Sequence, residues 1–397
     1  MKPGRLLSPN ETKYWLMDVS SPMNSVVVLR ARGELGTRDL RADSDFRLPA
    51  IALDEMNRPR WTEPRGGGVV EEQRAADDMA WLRVAEKLTD VRVGTEGHPP
   101  WHAVIVREPQ TTTLVFAAHH SVTDYRTGLW AAHCFVKGVS PGALAPACED
   151  LLDPSSFSGE DAQELLEQWW LARAGARWHA LGVERLAHFL PAPCATRLSA
   201  IRFDREESDA FNAACEREGV TLNGAVAVAL RDALGVTRVG HSIDMSRFIK
   251  PALPDGPGIA ISHLSTDVPA GEFWDAARDV RAKLFERLMA GDAADEFLVL
   301  PRALLQTAQA TEGTAAPIVI TGGPTLKRRD HAYDGYVKQL VVGSPRAGGN
   351  VVILSHDEGR LELLSSCPAS DAPLPLDRIA QCLRRAMESL PRAEHAD

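Results

Sequence analysis

The sequence predicts an α+β protein of two halves of similar size. Three observations predict it. The chain has 397 residues, too many for one ordinary core. Its first half mixes β-branched apolar runs with stretches at helical spacing. A proline-punctuated stretch, "PAPCATRLS" (191–199), interrupts that alternation, which then starts again. The division is therefore a first lobe over 1–190 and a second over 191–397.

In chain order, "NSVVVLRARGEL" (24–35) is rich in β-branched residues and reads as a strand. "FRLPAIALDEMNRPRWTEP" (46–64) reads as a hairpin turning at Asp54 to Pro59. "AADDMAWLRVAEKLTD" (75–90) has apolar residues at helical spacing. "PPWHAVIVREPQTTTLVFAAHH" (99–120) is two strands around the turn "REPQ", and a helix follows over about Thr123 to Val136. Residues 159–190 form a long helical stretch containing Trp169 and Trp170, read as core. In the second half, "TRLSAIRFD" is a strand. Two helices follow, closed by Gly219 and Gly235. "TRVGHSIDMSRF" and "GIAISHLSTDV" are strands, and "GEFWDAARDVRAKLFERLMAG" is an amphipathic helix. Four more strands, "APIVITGG", "VKQLVVGS", "GNVVILSHDEG" and "RLELLSSC", precede the closing helix "LDRIAQCLRRAMESL".

A net charge of −10 argues against nucleic acid or an anionic membrane as bulk partner. The local cluster Lys327-Arg328-Arg329 reads as a solvated turn that could still attract an anion. Six scattered cysteines show no compact ligand spacing, which points to free thiols in a reducing cytoplasm. No apolar run reaches the length of a membrane span.

"TTTLVFAAHHSVTDYRTGLW" (111–130) ends a buried strand with two imidazoles, His119 and His120, and sets Asp124 just beyond. An imidazole fixed at a strand mouth can take a proton from an alcohol or amine as that group attacks a carbonyl. An early helical aspartate can hold the loop, favoured there by the helix dipole. The plainer reading is two polar residues closing a strand. Metal is disfavoured: successive strand side chains point to opposite faces, and only His133 lies near. His241, His263 and His356 read as surface or satisfied polar positions.

"HHSVTD" resembles the HHxxxD signature of the chloramphenicol-acetyltransferase-like superfamily. "RLLSPNETKYWLMDVSSPMNSVVVLRARGEL" is similar to the opening of its bacterial polyketide-associated branch, close to free-standing condensation domains. "GVTLNGAVAVALRDALG", "SIDMSRF…GIAISHLSTDV" and "VVGSPRAGGNVVILSHDEGRLELLSS" resemble later segments in the expected order. The resemblance implies two chloramphenicol-acetyltransferase-like lobes, each a mixed sheet flanked by helices, set in a V around a central tunnel and bridged by a segment near 317–340. It implies His120 as general base and a structural Asp124 paired with Arg247. Ser262 is implied as an oxyanion donor, with Thr321 a second candidate. His119 and Tyr125 would line the substrate path. It further implies acyl transfer from an acyl-CoA or acyl-carrier-protein thioester to the hydroxyl of a small natural-product acceptor, without a resident cofactor or metal. Amide formation and a non-catalytic scaffold are the alternatives, and a monomer would suffice. Two departures stand out. Tyr125 replaces the glycine that usually follows the motif aspartate, and only "GTRDLRADSD" separates the first strand from the hairpin, where relatives carry a long helix.

Overall fold

The computed structural model describes residues 4–36, 39–41, 45–55, 58–152, 195–249, 255–297, 318–322, 335–343 and 350–390. Helix α1 (Pro9–Ser20) opens it with a capping box. The Ser8 hydroxyl accepts from Glu11 N, while the Glu11 carboxylate accepts from Ser8 N at 2.7 Å. Strand β1 (Asn24–Arg32) is buried along almost its whole length because both faces are covered. Val27 and Leu29 enter one core, and Val26 and Val28 enter another.

The hairpin is β2 (Ala50–Leu53) and β3 (Pro59–Thr62), and β4 (Val69–Arg74) follows. Next come α2 (Ala80–Thr89), β5 (Trp101–Arg107), β6 (Thr111–His119) and α3 (Tyr125–Lys137). The second half contributes β7 (Thr196–Arg202), α4 (Arg205–Glu218), α5 (Leu222–Leu234), β8 (Arg238–Asp244) and β9 (Ile261–Asp267). It closes with α6 (Phe273–Ala290), β10 (Ile318–Thr321), β11 (Tyr336–Gly343), β12 (Val351–Asp357), β13 (Arg360–Pro368) and α7 (Leu376–Glu388). Gly219 and Gly235 cap α4 and α5 in the left-handed region, as their positions predict.

One mixed sheet of eleven strands runs β4-β5-β6-β1-β11-β12-β10-β8-β9. It forks at β12, where β13 and then β7 leave on a second arm. Helices flank it. Among the described residues, α3 covers the core around Val27 and Phe116, and α2 covers the core around Val28 and Trp81. Helices α4 to α7 cover the core around Val239, Ile320 and Leu363. The α+β expectation of a mixed sheet flanked by helices is met. Strand β11, from the expected bridging segment, pairs antiparallel with β1, so residues distant in sequence complete one sheet. The expected helix over 159–190 and the cluster at 327–329 lie outside the described residues.

In and beside the short "GTRDLRADSD", apolar residues fill the first-half core. Leu35, Leu40, Phe46 and Leu48 bury there. Phe46 sets its ring edge-on to Trp101, Phe116 and Phe135 at 5.4–5.7 Å.

Candidate functional site

Residues 119–124 leave the end of β6 and are tied on three sides. His120 N donates to Met23 O at 2.7 Å, and the Ser121 hydroxyl donates to Glu11 O at 2.7 Å. The Ser25 hydroxyl donates to Thr123 O at 2.9 Å, and Gly258 N donates to Val122 O at 2.7 Å. Helix α1, strand β1 and the segment leading into β9 therefore hold one loop. Asp124 is the N-cap of α3: its Oδ1 accepts from Thr127 N at 2.9 Å. Its Oδ2 accepts from Ala260 N at 2.7 Å, across the molecule. The carboxylate thus fixes the loop and ties it to the second half.

The two histidines do different things. His119 is fully buried, and its Nδ1 accepts from Ser121 N at 3.0 Å. The proton therefore sits on Nε2, which faces Asp18 Oδ1 at 3.6 Å. Asp18 is itself held by Arg92 at 2.6 Å and by Met23 N at 2.8 Å. Gly94 (φ +75°) lies against this ring; a Cβ there would meet His119 Cβ at 2.8 Å. His119 is a buried prop.

His120 is half-buried and stacks on Tyr14, with centroids 4.1 Å apart and planes 11° apart. Its Nδ1 is closed off without a hydrogen-bond partner among the described residues. Burial foremost, aided by the Lys13 and His119 charges, pushes the ring down to about 4. The imidazole is neutral at neutral pH. Tyr14, Met17, Met23 and Ile259 form an apolar cluster beside it. Burial raises the Tyr14 phenol, which stays protonated.

The second half presents one sheet face to this loop. Ile259, two residues before β9, packs with Tyr14, and within β9 the pleat sets Ile261 and His263 on one face. Ser242 pairs with His263, and Thr321 follows Ile320, the partner of His241. Thr321, Ser242 and His263 therefore share a face, and all are half-buried. His263 is near enough for the Lys13 and His120 charges to act on it. Together with burial, the dominant cause, they push it down to about 3. Its Nδ1 also lacks a partner among the described residues. Lys13 is 6% exposed, and its Nζ lies 4.3 Å from the centre of the Tyr14 ring. Burial pushes it down to about 8, against the opposing pull of Glu149.

Of the residues singled out from sequence, His119, His120 and Asp124 share this loop. Ser262 lies on the opposite face of β9, between Ala260 and Leu264, both in another core. Its hydroxyl is buried and has no partner among the described residues. The structure does not bring it to the His120 face; Thr321 shares the face of His263 instead. Arg247 belongs to the short turn Met245–Phe248, and its side chain is outside the described residues. Tyr125 leans on the first-half core, where burial pushes its phenol up to about 12. His133 bonds the Tyr336 hydroxyl at 3.1 Å, and His241 bonds the Thr266 hydroxyl at 2.8 Å. Lys13 and His263 were not predicted. Among the described residues, no group of three or more His, Cys, Asp or Glu could hold a metal. No described helix is long and apolar enough to cross a membrane.

No family model and no curated protein matches the chain. Solved structures do. The first condensation domain of the calcium-dependent antibiotic synthetase, in complex with a substrate analogue, matches with TM-score 0.64 at 13% identity over 98% of both chains. Polyketide synthase associated protein 5 from Mycobacterium tuberculosis matches with TM-score 0.60 at 16% identity over 98% of this chain and 100% of that one. The cyclization-docking bidomain of a nonribosomal peptide synthetase from Sorangium cellulosum matches with TM-score 0.59 at 16% identity over 98% of this chain and 85% of that one. The chain has the condensation-domain, chloramphenicol-acetyltransferase-like fold.

Proposed function

We propose that the protein is an acyltransferase of the condensation type. It moves an acyl group from a thioester, on coenzyme A or an acyl-carrier protein, to a hydroxyl of a small acceptor in natural-product biosynthesis. The observation that carries this reading is His120: a neutral imidazole on a loop tied from three sides, one nitrogen sealed and the residue part-open. The fold match to condensation domains supports it.

In the reading, the outward nitrogen of His120 takes the proton of the acceptor hydroxyl. The oxygen attacks the thioester carbonyl carbon. A C–O bond forms, the C–S bond breaks, and the departing thiolate takes its proton from the imidazolium. Thioesters are already activated, so placement and a suitable base supply much of the acceleration. Asp124 acts as a positioning residue through Thr127 N and Ala260 N, with acceptor capacity left for Arg247. Thr321, on the His263 face, is the side chain we assign to the developing oxyanion. Ser262 takes no part. The site would lie where a 1–190 lobe meets a 191–397 lobe.

The test is thiol release from acyl-CoA and acyl-pantetheine, followed with DTNB, with and without a panel of alcohols and amines. The expected result is alcohol-dependent release that falls about a hundredfold or more in His120→Ala. Equal release by wild type and His120→Ala would sink the assignment.

A further inference from the structure

Lys13 is 6% exposed and sets its Nζ 4.3 Å from the centre of the Tyr14 ring, beside two imidazoles, His120 and His263, whose buried Nδ1 atoms have no partner among the described residues. An unpaired buried polar atom costs about 1–3 kcal/mol, and a buried charge costs more. Lys13 is the strongest case. Among the described residues, no carboxylate reaches ion-pair distance of it. Glu149, the acid that acts on it through space, accepts instead from Asn10 N at 3.0 Å and Asn10 Nδ2 at 3.3 Å. Burial also raises the Glu149 carboxyl, which weakens it as a counter-charge. The cation lies over Tyr14, and Tyr14 stacks on His120. Ammonium and imidazole therefore both lie against one phenol ring, at 4.3 and 4.1 Å from its centre.

Resting on the acyl-transfer reading, we propose that Lys13 is an anion-binding subsite for a carboxylate of the acceptor, which makes the acceptor class hydroxy acids. The carboxylate pairs with the Lys13 ammonium while its hydroxyl reaches the base. A pantetheine phosphate is the other common anion in such chemistry. It sits a full pantetheine arm away from the reacting carbonyl, whereas Lys13 lies one ring away from the base. The pairing has a second effect: it removes one of the charges that depress His120, and so strengthens the base when acceptor is present.

The full chain, labelled with 15N at histidine, is titrated with 2-hydroxybutyrate, 2-hydroxybutyramide and inorganic phosphate in a buffer free of carboxylates. The readout is the His120 imidazole resonance, assigned with His120→Ala. Saturable shifts are expected with 2-hydroxybutyrate, with half-saturation near about 1–10 mM. The amide and phosphate should bind at least tenfold more weakly. Lys13→Met should erase the preference for the acid, and Lys13→Arg should keep part of it. Equal binding of acid and amide, phosphate binding as well as the acid, or an unchanged preference in Lys13→Met would each overturn the subsite. The wild-type comparison needs no variant to fold. Thiol release measured on the same preparations separates the two ideas. His120-dependent turnover without acid preference removes the subsite alone, and acid preference without His120-dependent turnover removes the acyl-transfer reading alone.

Discussion

Both oxygens of Asp124 accept from backbone N–H groups, Thr127 within its own helix and Ala260 from the second half. Asp124→Ala removes a cap worth about 1 kcal/mol and strands a buried N–H at a cost of about 1–3 kcal/mol. Asp124→Asn keeps one acceptor oxygen and so retains the cap, but its NH2 cannot accept from Ala260 N. A denaturant series should rank wild type above Asn above Ala, with Ala lower by roughly 2–4 kcal/mol; equal midpoints would show the bonds to be idle. His120 makes a second prediction. Since its ring is pushed down to about 4, the base stays neutral well below the ordinary imidazole range. The acidic limb of kcat/KM should therefore lie near pH 4, and activity at pH 5.5 should match that at pH 7. A limb near about 6.5, the unperturbed histidine value, would contradict the burial argument. The "HHSVTD" spacing made His120 and Asp124 legible, because a strand end followed by a capping aspartate is local. Lys13 and His263 were not legible. Nothing local to Lys13 marks it as buried, and the side of β9 that faces the site depends on a register that sequence does not print.

At the scale of elements, the junction of β1, β11, β12 and β13 buries a compact set of opposed charges. Arg30, Arg202 and Lys338 meet Glu108, Asp357 and Glu362. Lys338 and Glu362 are 0–1% exposed and in contact, and the ammonium lies 3.9 Å from the centre of the Trp81 ring. Taking one partner from such a pair leaves a buried charge uncompensated, at a cost of about 3–5 kcal/mol; replacing both can be near neutral. Lys338→Met should lower the unfolding free energy by about that amount, and Lys338→Met with Glu362→Leu should recover at least half. A double variant no better than the single would mean that the wider network, through Arg202, carries the coupling. The strands at this junction were readable one by one from their apolar runs. Their partners were not, because β1 and β11 are separated by most of the chain. Helix α1 shows the reverse: its "SPNE" capping box is a local signal, present in the sequence and not used in predicting the elements.

For the molecule as a whole, the buried imidazoles set the acid limit of stability. Burial pushes His120 and His241 down to about 4 and His263 to about 3, and it lowers His119 as well. Each has a folded-state value below its unfolded value of about 6.5. Above that value both states are neutral, and the stabilisation is complete. As pH falls through 6.5 toward 4, the unfolded chain binds protons that the folded chain refuses, so stability drops. By pH 5 the loss is on the order of 2 kcal/mol for His241, and less for the part-open His120 and His263. Ordinary carboxylates titrate lower, so the histidines set the slope from pH 6.5 to 5; Glu149 and Glu296, raised by burial, offset part of it. Against a typical margin of about 5–15 kcal/mol, three such groups matter. Urea unfolding at half-unit steps should therefore show stability falling steadily from pH 6.5 to 5. In His241→Gln, which can keep the Thr266 bond, the slope should be shallower by about one proton's worth, or 1.4 kcal/mol per pH unit at most. Flat stability across that window would mean that these rings are already wet, and the low dielectric around His120 would go with them.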